Sequence, residues 1–130
     1  MGIEICWDHF FPEVAQSLAR NGAEIICLPV WGAHQTPGMW DAVMRTRAVD
    51  NGVYLIAATY CQEGGLIVHP DGKVLADAEG KEGVFLAEVE LIDGRAPSYW
   101  VWQKSKMWWW KDCYWKERRP ETYGILTRTE

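Results

Sequence analysis

The sequence predicts an α/β layered domain, and three observations support that class. Short β-branched apolar runs alternate with apolar residues at helical spacing, giving the order strand, helix, strand, helix, strand. A hairpin signal follows at 66–75. Twelve glycines and six prolines imply many turns and short elements, which argues against a helical bundle. With 130 residues, the chain has the size of one domain or a large part of one.

The first half of the prediction covers a strand, a helix and a second strand. Residues 2–7 alternate in polarity as a short strand does. Pro12 stands where the first turn of a helix tolerates proline, and apolar residues then recur at helical spacing until Gly22 ends the run. The apolar stretch 23–29 is typical of a buried strand.

The second half continues the same alternation. Residues 36–37 (Thr-Pro) open a second helix that ends at 51–52 (Asn-Gly), and 53–59 form another buried strand. The hairpin at 66–75 turns at His-Pro-Asp-Gly, because proline presets its φ and glycine accepts a positive one. The alternating run 84–91 predicts a last strand.

Charge and composition exclude several classes of protein. Thirteen basic and eighteen acidic residues give a net charge of −5, which disfavours a general polyanion binder. No apolar stretch is long enough for a membrane span, and the N-terminus lacks the basic-then-apolar pattern of a signal peptide. We therefore expect a cytoplasmic protein without a membrane association. The four cysteines have no CxxC spacing and are expected to be free thiols: Cys6, Cys27, Cys61 and Cys113. The three histidines are not spaced as the ligands of a metal site, so no metal or cofactor is predicted.

A basic, tryptophan-rich tail covers about 99–130. Residues 100–130 hold seven basic and four acidic side chains, and 99–115 contain six of the nine tryptophans. Interleaved Lys and Trp can stack on single-stranded bases, which would make the tail a nucleic-acid module. Alternatively, the indoles cover another protein surface while the lysines keep the tail soluble. The acidic balance of the rest of the chain favours the second interpretation, so no nucleic acid partner is expected.

Cys6 is the residue whose position points to chemistry. It follows Ile5 at a strand-to-helix turn, where amides at a helix N-terminus can stabilise a thiolate. The amide of Trp7 could then bind the oxyanion formed when the thiolate attacks a carbonyl or nitrile carbon. The alternative is that Cys6 is a small buried hydrophobe.

Five segments, forming four motif blocks in order, resemble the carbon–nitrogen hydrolase (nitrilase) superfamily. Residues 5–13 (ICWDHFFPE), followed by 22–29 (GAEIICLP), resemble its nucleophile segment, with the pattern Cys, aromatic, Asp and then Phe-Pro-Glu. Residues 40–54 look like its RARAxEN helix and the following strand, and 68–75 (VHPDGKVL) look like its Pro-Asp-Gly hairpin. Residues 118–124 (RRPETYG) resemble its C-terminal signature.

The resemblance implies an α-β-β-α four-layer sandwich with a Glu–Lys–Cys triad. Cys6 matches the nucleophile, and the amide of Trp7 matches the oxyanion donor. The loop that holds Trp31 and His34 is expected to border the substrate pocket. The implied activity is hydrolysis of non-peptide carbon–nitrogen bonds in small amide, carbamoyl or nitrile substrates through a thioester-type intermediate. The family also implies a homo-oligomer, because its two corresponding helices commonly form the subunit interface.

One departure from the family limits this interpretation. The motif positions of the Glu and the Lys lie upstream of the nucleophile segment, and nothing in 1–130 matches them. The chain is therefore expected to be a single partial domain, the C-terminal half, lacking the N-terminal half and inactive alone. The alternative is a non-catalytic remnant or a partner subunit that docks to a chain supplying the missing half.

Three further residues near Cys6 carry expectations of their own. Asp8 and Glu13 could be acid–base groups, but local hydrogen bonds and pairing with Arg45 or Arg47 are expected instead. His9 occupies a variable position of the motif and is expected at the surface or in an interface.

Overall fold

A computed structural model describes residues 1–32, 36–60, 64–91 and 118–128. Within these ranges the chain forms five strands, two α-helices and three short 3₁₀ helices. The strands are β1 (Gly2–Ile3), β2 (Ile25–Val30), β3 (Tyr54–Thr59), β4 (Leu66–Val68) and β5 (Val74–Asp77). The helices are α1 (Pro12–Arg20) and α2 (Pro37–Asn51). The 3₁₀ helices are Cys6–Phe10, here named the Cys6 turn, Pro120–Thr122 and Gly124–Thr127.

The five strands form one sheet in the order β1-β2-β3-β4-β5. β1, β2 and β3 are parallel, and α1 and α2 are the crossovers between them. β4 and β5 continue the sheet antiparallel, as a hairpin does. Parallel crossovers of one hand place both helices on one face, where α1 contacts β1, β2 and α2, and α2 contacts β3 and β4.

The two faces of the sheet differ in what covers them. Paired residues share a face, so the strand register defines two rows that cross all five strands. The row under the helices belongs to or packs on the buried core: Gly2, Ile26, Leu55, Val68 and Val74. The opposite row, here named the open sheet face, is exposed or half-buried and entirely apolar: Ile3, Cys27, Ile56, Ile67 and Ala76.

The ends of α2 follow from its sequence. The Thr36 hydroxyl accepts from the Met39 amide at 3.4 Å, which caps the first turn. Gly52 ends the helix in the left-handed region, at φ 60° and ψ 42°. Between these ends the indole of Trp40, 1% exposed, donates from Nε1 to the Gly64 carbonyl at 3.1 Å. This bond ties α2 to the segment that leads into β4.

Most of the predicted elements are confirmed, and two are corrected. The strand expected over 2–7 ends at Ile3, because the chain leaves the sheet to form the Cys6 turn. The run 84–91 pairs with no strand within the described ranges, and the prediction of a strand there was wrong. Its alternating side chains have no layer to enter, since Val84 and Leu86 are 88% and 86% exposed.

Several expectations fall on residues outside the described ranges. These are His34, Cys61, Cys113 and residues 99–117 and 129–130 of the tryptophan-rich tail. Among the helices that the structure does describe, none is long and apolar enough to cross a membrane.

Candidate active site

The carboxyl ends of the three parallel strands meet at one edge of the sheet. One row of the sheet crosses the three strands at Ile3, Cys27 and Ile56. Three residues later in each segment, at its carboxyl end, the chain reaches Cys6, Val30 and Thr59. The loops that leave this edge carry the Cys6 turn, Trp31 and Tyr60. In open α/β sheets this edge is where ligand contacts are found.

Cys6 adopts a backbone conformation that L-residues rarely take. Its φ is +49°, and within the described ranges it shares a positive φ among non-glycine residues with Glu79 alone. The turn is closed by reciprocal bonds: the Ile5 amide donates to Asp8 Oδ2 at 2.9 Å, and the Asp8 amide donates to the Ile5 carbonyl at 3.1 Å. The Cys6 side chain is half-buried and packs against the hydrophobic core. Such strain persists only where neighbouring contacts enforce it, and it concentrates at functional sites.

The contacts of Asp8 confirm its expected local role. Its carboxylate accepts from the Ile5 amide, and its carbonyl accepts from the Phe11 amide at 3.0 Å, where α1 begins. The expected pairing of Asp8 and Glu13 with Arg45 or Arg47 was wrong, because no ion pair joins these residues in the described structure. Arg45 instead binds Asp41 at 2.7 Å and the Gly72 carbonyl at 2.7 Å, which ties α2 to the hairpin turn.

His9 is buried, so the expectation that it lies at a surface or interface was wrong. Its side chain is 1% exposed, and its Nδ1 donates to the Cys6 carbonyl. The imidazole also packs edge-on against Trp40, with ring centroids 5.6 Å apart. The histidine thus fills the space between the Cys6 turn and α2, which a pattern read along the motif does not reveal.

A buried carboxyl group near the turn was also missed from the sequence. Glu4 is fully buried, and neither oxygen of its carboxyl group has a hydrogen-bond partner among the described residues. Burial raises the pKa of Glu4 above its ordinary value of 4.5. The positive charge of Arg47 lowers this pKa by a smaller amount, and the negative charge of Asp8 raises it further. Burial likewise raises the pKa of Asp50, and Arg47 opposes that shift.

Trp31 and Tyr60 form an exposed aromatic pair at the same edge. Their rings stack with centroids 4.4 Å apart and an interplanar angle of 21°, although the side chains are 65% and 76% exposed. Tyr60 carried no sequence signal, because its place beside Trp31 comes from the pairing of β2 with β3. A cleft of about 670 Å³ lies next to the pair on the open sheet face, lined by Tyr60, Ile67 and Phe85 among others.

Trp7 is the second residue of the Cys6 turn, and amides in the first turn of a helix have no partner inside the helix. Its indole is 66% exposed and leans on Phe10, with ring centroids 4.5 Å apart. Within the described ranges no cluster of His, Cys, Asp and Glu is arranged to hold a metal ion.

Comparison with known proteins identifies the family. Residues 1–97 match the family described as carbon-nitrogen hydrolase. This chain belongs to that family. The deaminated glutathione amidase of Rattus norvegicus is 34% identical over 136 residues, which cover 97% of this chain and 38% of that protein. The carbon–nitrogen hydrolase chain therefore spans well under half the length of this relative.

Solved structures of the family share the fold. A carbon-nitrogen hydrolase from Helicobacter pylori G27 superposes with a TM-score of 0.74 at 21% identity, covering 97% of this chain and 48% of that chain. An amidase variant from Nesterenkonia sp. AN1, with the acetamide moiety of fluoroacetamide added covalently at its active-site cysteine, superposes with a TM-score of 0.67 at 21% identity. It covers 95% of this chain and 43% of that chain. The predicted family and fold class are thus confirmed.

Proposed function

We propose that this chain carries the nucleophile half of an amidase that hydrolyses small amide, carbamoyl or nitrile substrates, with Cys6 as the nucleophile. The observation that carries the proposal is the placement of Cys6. By resemblance it matches the cysteine of the family's nucleophile segment, and it lies at a turn with a positive φ, where the edge strand of the parallel sheet is followed by the loops.

For an amide or carbamoyl substrate the chemistry has three steps. The Cys6 thiolate attacks the carbonyl carbon, and the Trp7 amide donates to the resulting oxyanion; a nitrile would instead give a thioimidate, which one water converts to the thioester with release of ammonia. The carbon–nitrogen bond then breaks, the nitrogen leaves with a proton as ammonia or an amine, and an acyl thioester remains. Water attacks the thioester carbon, which releases the acid and restores the thiolate. The exposed pair Trp31 and Tyr60, together with the loop of His34, would line the substrate side of this site.

The proton transfers need groups that 1–130 does not supply. By the family resemblance a Glu acts as general base and a Lys supports the oxyanion, and no residue of 1–130 matches either motif position. We therefore expect the 130-residue chain alone to be inactive and poorly soluble, because the open sheet face exposes apolar surface. Ammonia release from a panel of one amide, one carbamoyl compound and one nitrile by the chain alone would contradict this expectation.

Alkylation tests the role of Cys6 directly. Purified protein is treated with iodoacetamide across a range of pH, and peptide mass mapping gives the rate at each cysteine. We expect Cys6 to react faster than Cys27, which is also half-buried and serves as the internal control. Equal rates at the two thiols would contradict an activated nucleophile.

Substitution in the complete domain gives the second test. Cys6→Ala and Cys6→Ser are expected to abolish turnover while far-UV circular dichroism stays unchanged, and Cys27→Ser is the matched control that keeps turnover. Fluoroacetamide, which reacts slowly with ordinary thiols, should add an acetamide moiety to the unsubstituted protein and not to Cys6→Ser. Turnover retained without the thiol would remove Cys6 from the nucleophile role.

A second candidate is a non-catalytic partner subunit, and the open sheet face favours it. This apolar row crosses all five strands, and a sandwich fold covers such a row with a second sheet. A chain bearing the complementary half would bind here. Mixing the two halves separates the candidates: restored ammonia release supports the enzyme, whereas a stable complex without turnover supports the partner subunit.

Homo-oligomerisation through α1 and α2 is part of the same proposal. The support is the family resemblance together with the position of both helices on the outer side of the sheet. Light scattering after size exclusion should give a dimer mass for the complete domain. A monomer mass would contradict this part of the proposal.

A further inference from the structure

The cleft beside Tyr60 has no part in the reaction steps given above. Its volume is about 670 Å³, which lies within the range of about 300–1,000 Å³ that is usual for small-molecule sites. The amide, carbamoyl or nitrile group that reacts at Cys6 has only a few heavy atoms and would fill a small part of this volume. The cleft therefore has room for a part of the substrate that does not react, here named the arm.

The walls of the cleft are mainly apolar side chains and glycine backbone. Ile56 and Ala58 line it from β3, and because they lie two residues apart their side chains share the open sheet face. Phe85 lines it from the segment that follows β5, and its side chain is 38% exposed. Gly64 and Gly65 contribute backbone without a side chain. Such a lining favours an apolar arm, because burying apolar surface releases it from water.

The charges at the cleft disfavour an arm that ends in a carboxylate. Among the described lining residues the charged ones are Lys81 and Glu82. The Lys81 ammonium is already matched, since its Nζ donates to Glu79 Oε2 at 2.6 Å. Glu82 is exposed and has no ion-pair partner among the described residues. An anionic arm would therefore meet the negative charge of Glu82, whereas a neutral arm would not.

An aromatic path connects the thiol with the cleft. Cys6 follows β1, Trp31 follows β2 and Tyr60 follows β3, and these three strands are neighbours in the sheet. The rings of Trp31 and Tyr60 are stacked, and Tyr60 also lines the cleft. Neighbouring strands lie about 4.8 Å apart, so about 10 Å separates the line of β1 from the line of β3. An arm of that length, on a substrate held at Cys6, would pass the stacked pair and end in the cleft.

We propose that the cleft beside Tyr60 is a substrate subsite that binds a neutral apolar arm ending in a planar ring. This inference rests on the proposed function, since the reacting group of the substrate is placed at Cys6. The exposed ring surfaces of Trp31 and Tyr60 contact the arm, and a planar ring gains from stacking or edge-on contacts with them. The substrate class is thus an amide with an apolar arm about two strand spacings long, in preference to an amide whose arm ends in a carboxylate.

Alkylation with reagents that carry different arms tests this subsite in the 130-residue chain. The reagents are N-methyl iodoacetamide, N-(ω-phenylhexyl) iodoacetamide and N-(ω-carboxypentyl) iodoacetamide. In each case the Cys6 thiolate displaces iodide and forms a carbon–sulfur bond, and peptide mass mapping gives the rate. The readout is the rate with a long reagent divided by the rate with the methyl reagent. The intrinsic reactivity of the thiol cancels in this quotient, so the quotient reports the binding of the arm.

Three variants locate the binding of the arm. Ala58→Phe places a ring in the cleft, and because Ala58 is exposed the added ring does not enter the core. Ser17→Phe is the matched control, since it adds the same ring at an exposed position of α1, on the helix side of the sheet. Tyr60→Ser removes one ring of the stacked pair at a position that is 76% exposed. Far-UV circular dichroism checks that each variant folds.

We expect the phenylhexyl reagent to label Cys6 about tenfold faster than the methyl reagent, equivalent to about 1.4 kcal/mol of arm binding. The gain should be the same in Ser17→Phe. Ala58→Phe should abolish the gain, because the added ring occupies the place of the arm, and Tyr60→Ser should reduce it. The carboxypentyl reagent should show no gain over the methyl reagent, because its carboxylate is repelled by Glu82.

Three results would overturn the proposal. The first is equal labelling of Cys6 by the phenylhexyl and methyl reagents in the unsubstituted chain. The second is a gain that persists in Ala58→Phe, which assigns it to general adhesion to apolar surface. The third is an equal gain with the carboxypentyl reagent. Failure of the proposed function gives a different pattern: slow labelling of Cys6 by both reagents with the gain intact rejects the nucleophile and supports the subsite, whereas fast labelling by both without the gain does the reverse.

Discussion

Replacing Cys6 by glycine should stabilise the fold relative to replacing it by alanine. The reason is the φ of +49°, which brings Cβ close to the following carbonyl in any L-residue but not in glycine. The same pair of substitutions at Ser17, an exposed position inside α1, provides the reference for the intrinsic difference between glycine and alanine.

The magnitude follows from two terms. A left-handed conformation costs an L-residue about 1–2 kcal/mol, whereas glycine loses about 0.5–1 kcal/mol to backbone entropy in regular structure. At Ser17 the backbone is helical, so only the entropy cost of glycine contributes, and the alanine variant should be more stable than the glycine variant there. Subtracting the Ser17 pair from the Cys6 pair should therefore leave about 1–2 kcal/mol in favour of glycine at Cys6.

Urea unfolding followed by far-UV circular dichroism measures this difference. With a slope of about 2 kcal/mol per molar, the two pairs should differ in midpoint shift by about 0.5–1 M. Low protein concentration is needed, because the open sheet face favours self-association. Glu79, the other described non-glycine residue with a positive φ, should behave like Cys6. If the difference between glycine and alanine at Cys6 equals the difference at Ser17, the turn is not strained and the reasoning fails.

Three other changes test the surroundings of the site. Trp40→Phe should destabilise the fold by about 2–4 kcal/mol in urea, because the core loses volume and the Gly64 carbonyl loses its donor; a smaller effect would contradict that bond. Gly64→Ala should cost about 1–3 kcal/mol more than Gly22→Ala, since both have positive φ but only at Gly64 would a Cβ meet backbone, 2.8 Å from Gly80 N. Glu4 contributes most to stability below pH 4.5, and its contribution should fall as the pH rises through its raised pKa; a stability difference between the unsubstituted chain and Glu4→Gln that does not vary with pH would refute this.

The elements with strong local signals could be predicted from the sequence. Thr36 and Gly52 mark the ends of α2 through capping chemistry that acts over one turn, and the hairpin before β5 depends on four consecutive residues. The run 84–91 shows the limit of such signals. An alternating apolar and polar sequence forms a strand when another layer of the fold covers its apolar side. In the described ranges no such layer covers 84–91, and its apolar side chains are exposed.

Only part of the candidate site could be predicted from the sequence, because a local motif carries no information about packing between distant elements. The motif resemblance makes Cys6 the candidate nucleophile and the amide of Trp7 the candidate oxyanion donor, since both lie in one short segment. The alternation Ile3-Glu4-Ile5 favours buried isoleucines and an exposed glutamate, yet the structure inverts it: Glu4 is 0% exposed and Ile5 is 61% exposed. That inversion depends on the helices that pack on the sheet, and the alternation of three consecutive residues carries no information about them.

The short pairing of β1 has a consequence for how the thiol behaves over time. β1 is joined to β2 by two register pairs and the Glu4 amide, and it is an edge strand of the described sheet. Edges with few bonds fray at a small fraction of the global unfolding free energy. Cys6 therefore follows a segment that opens at a lower free energy than the whole fold needs to unfold, so its thiol is exposed to reagents by local opening as well as by global unfolding.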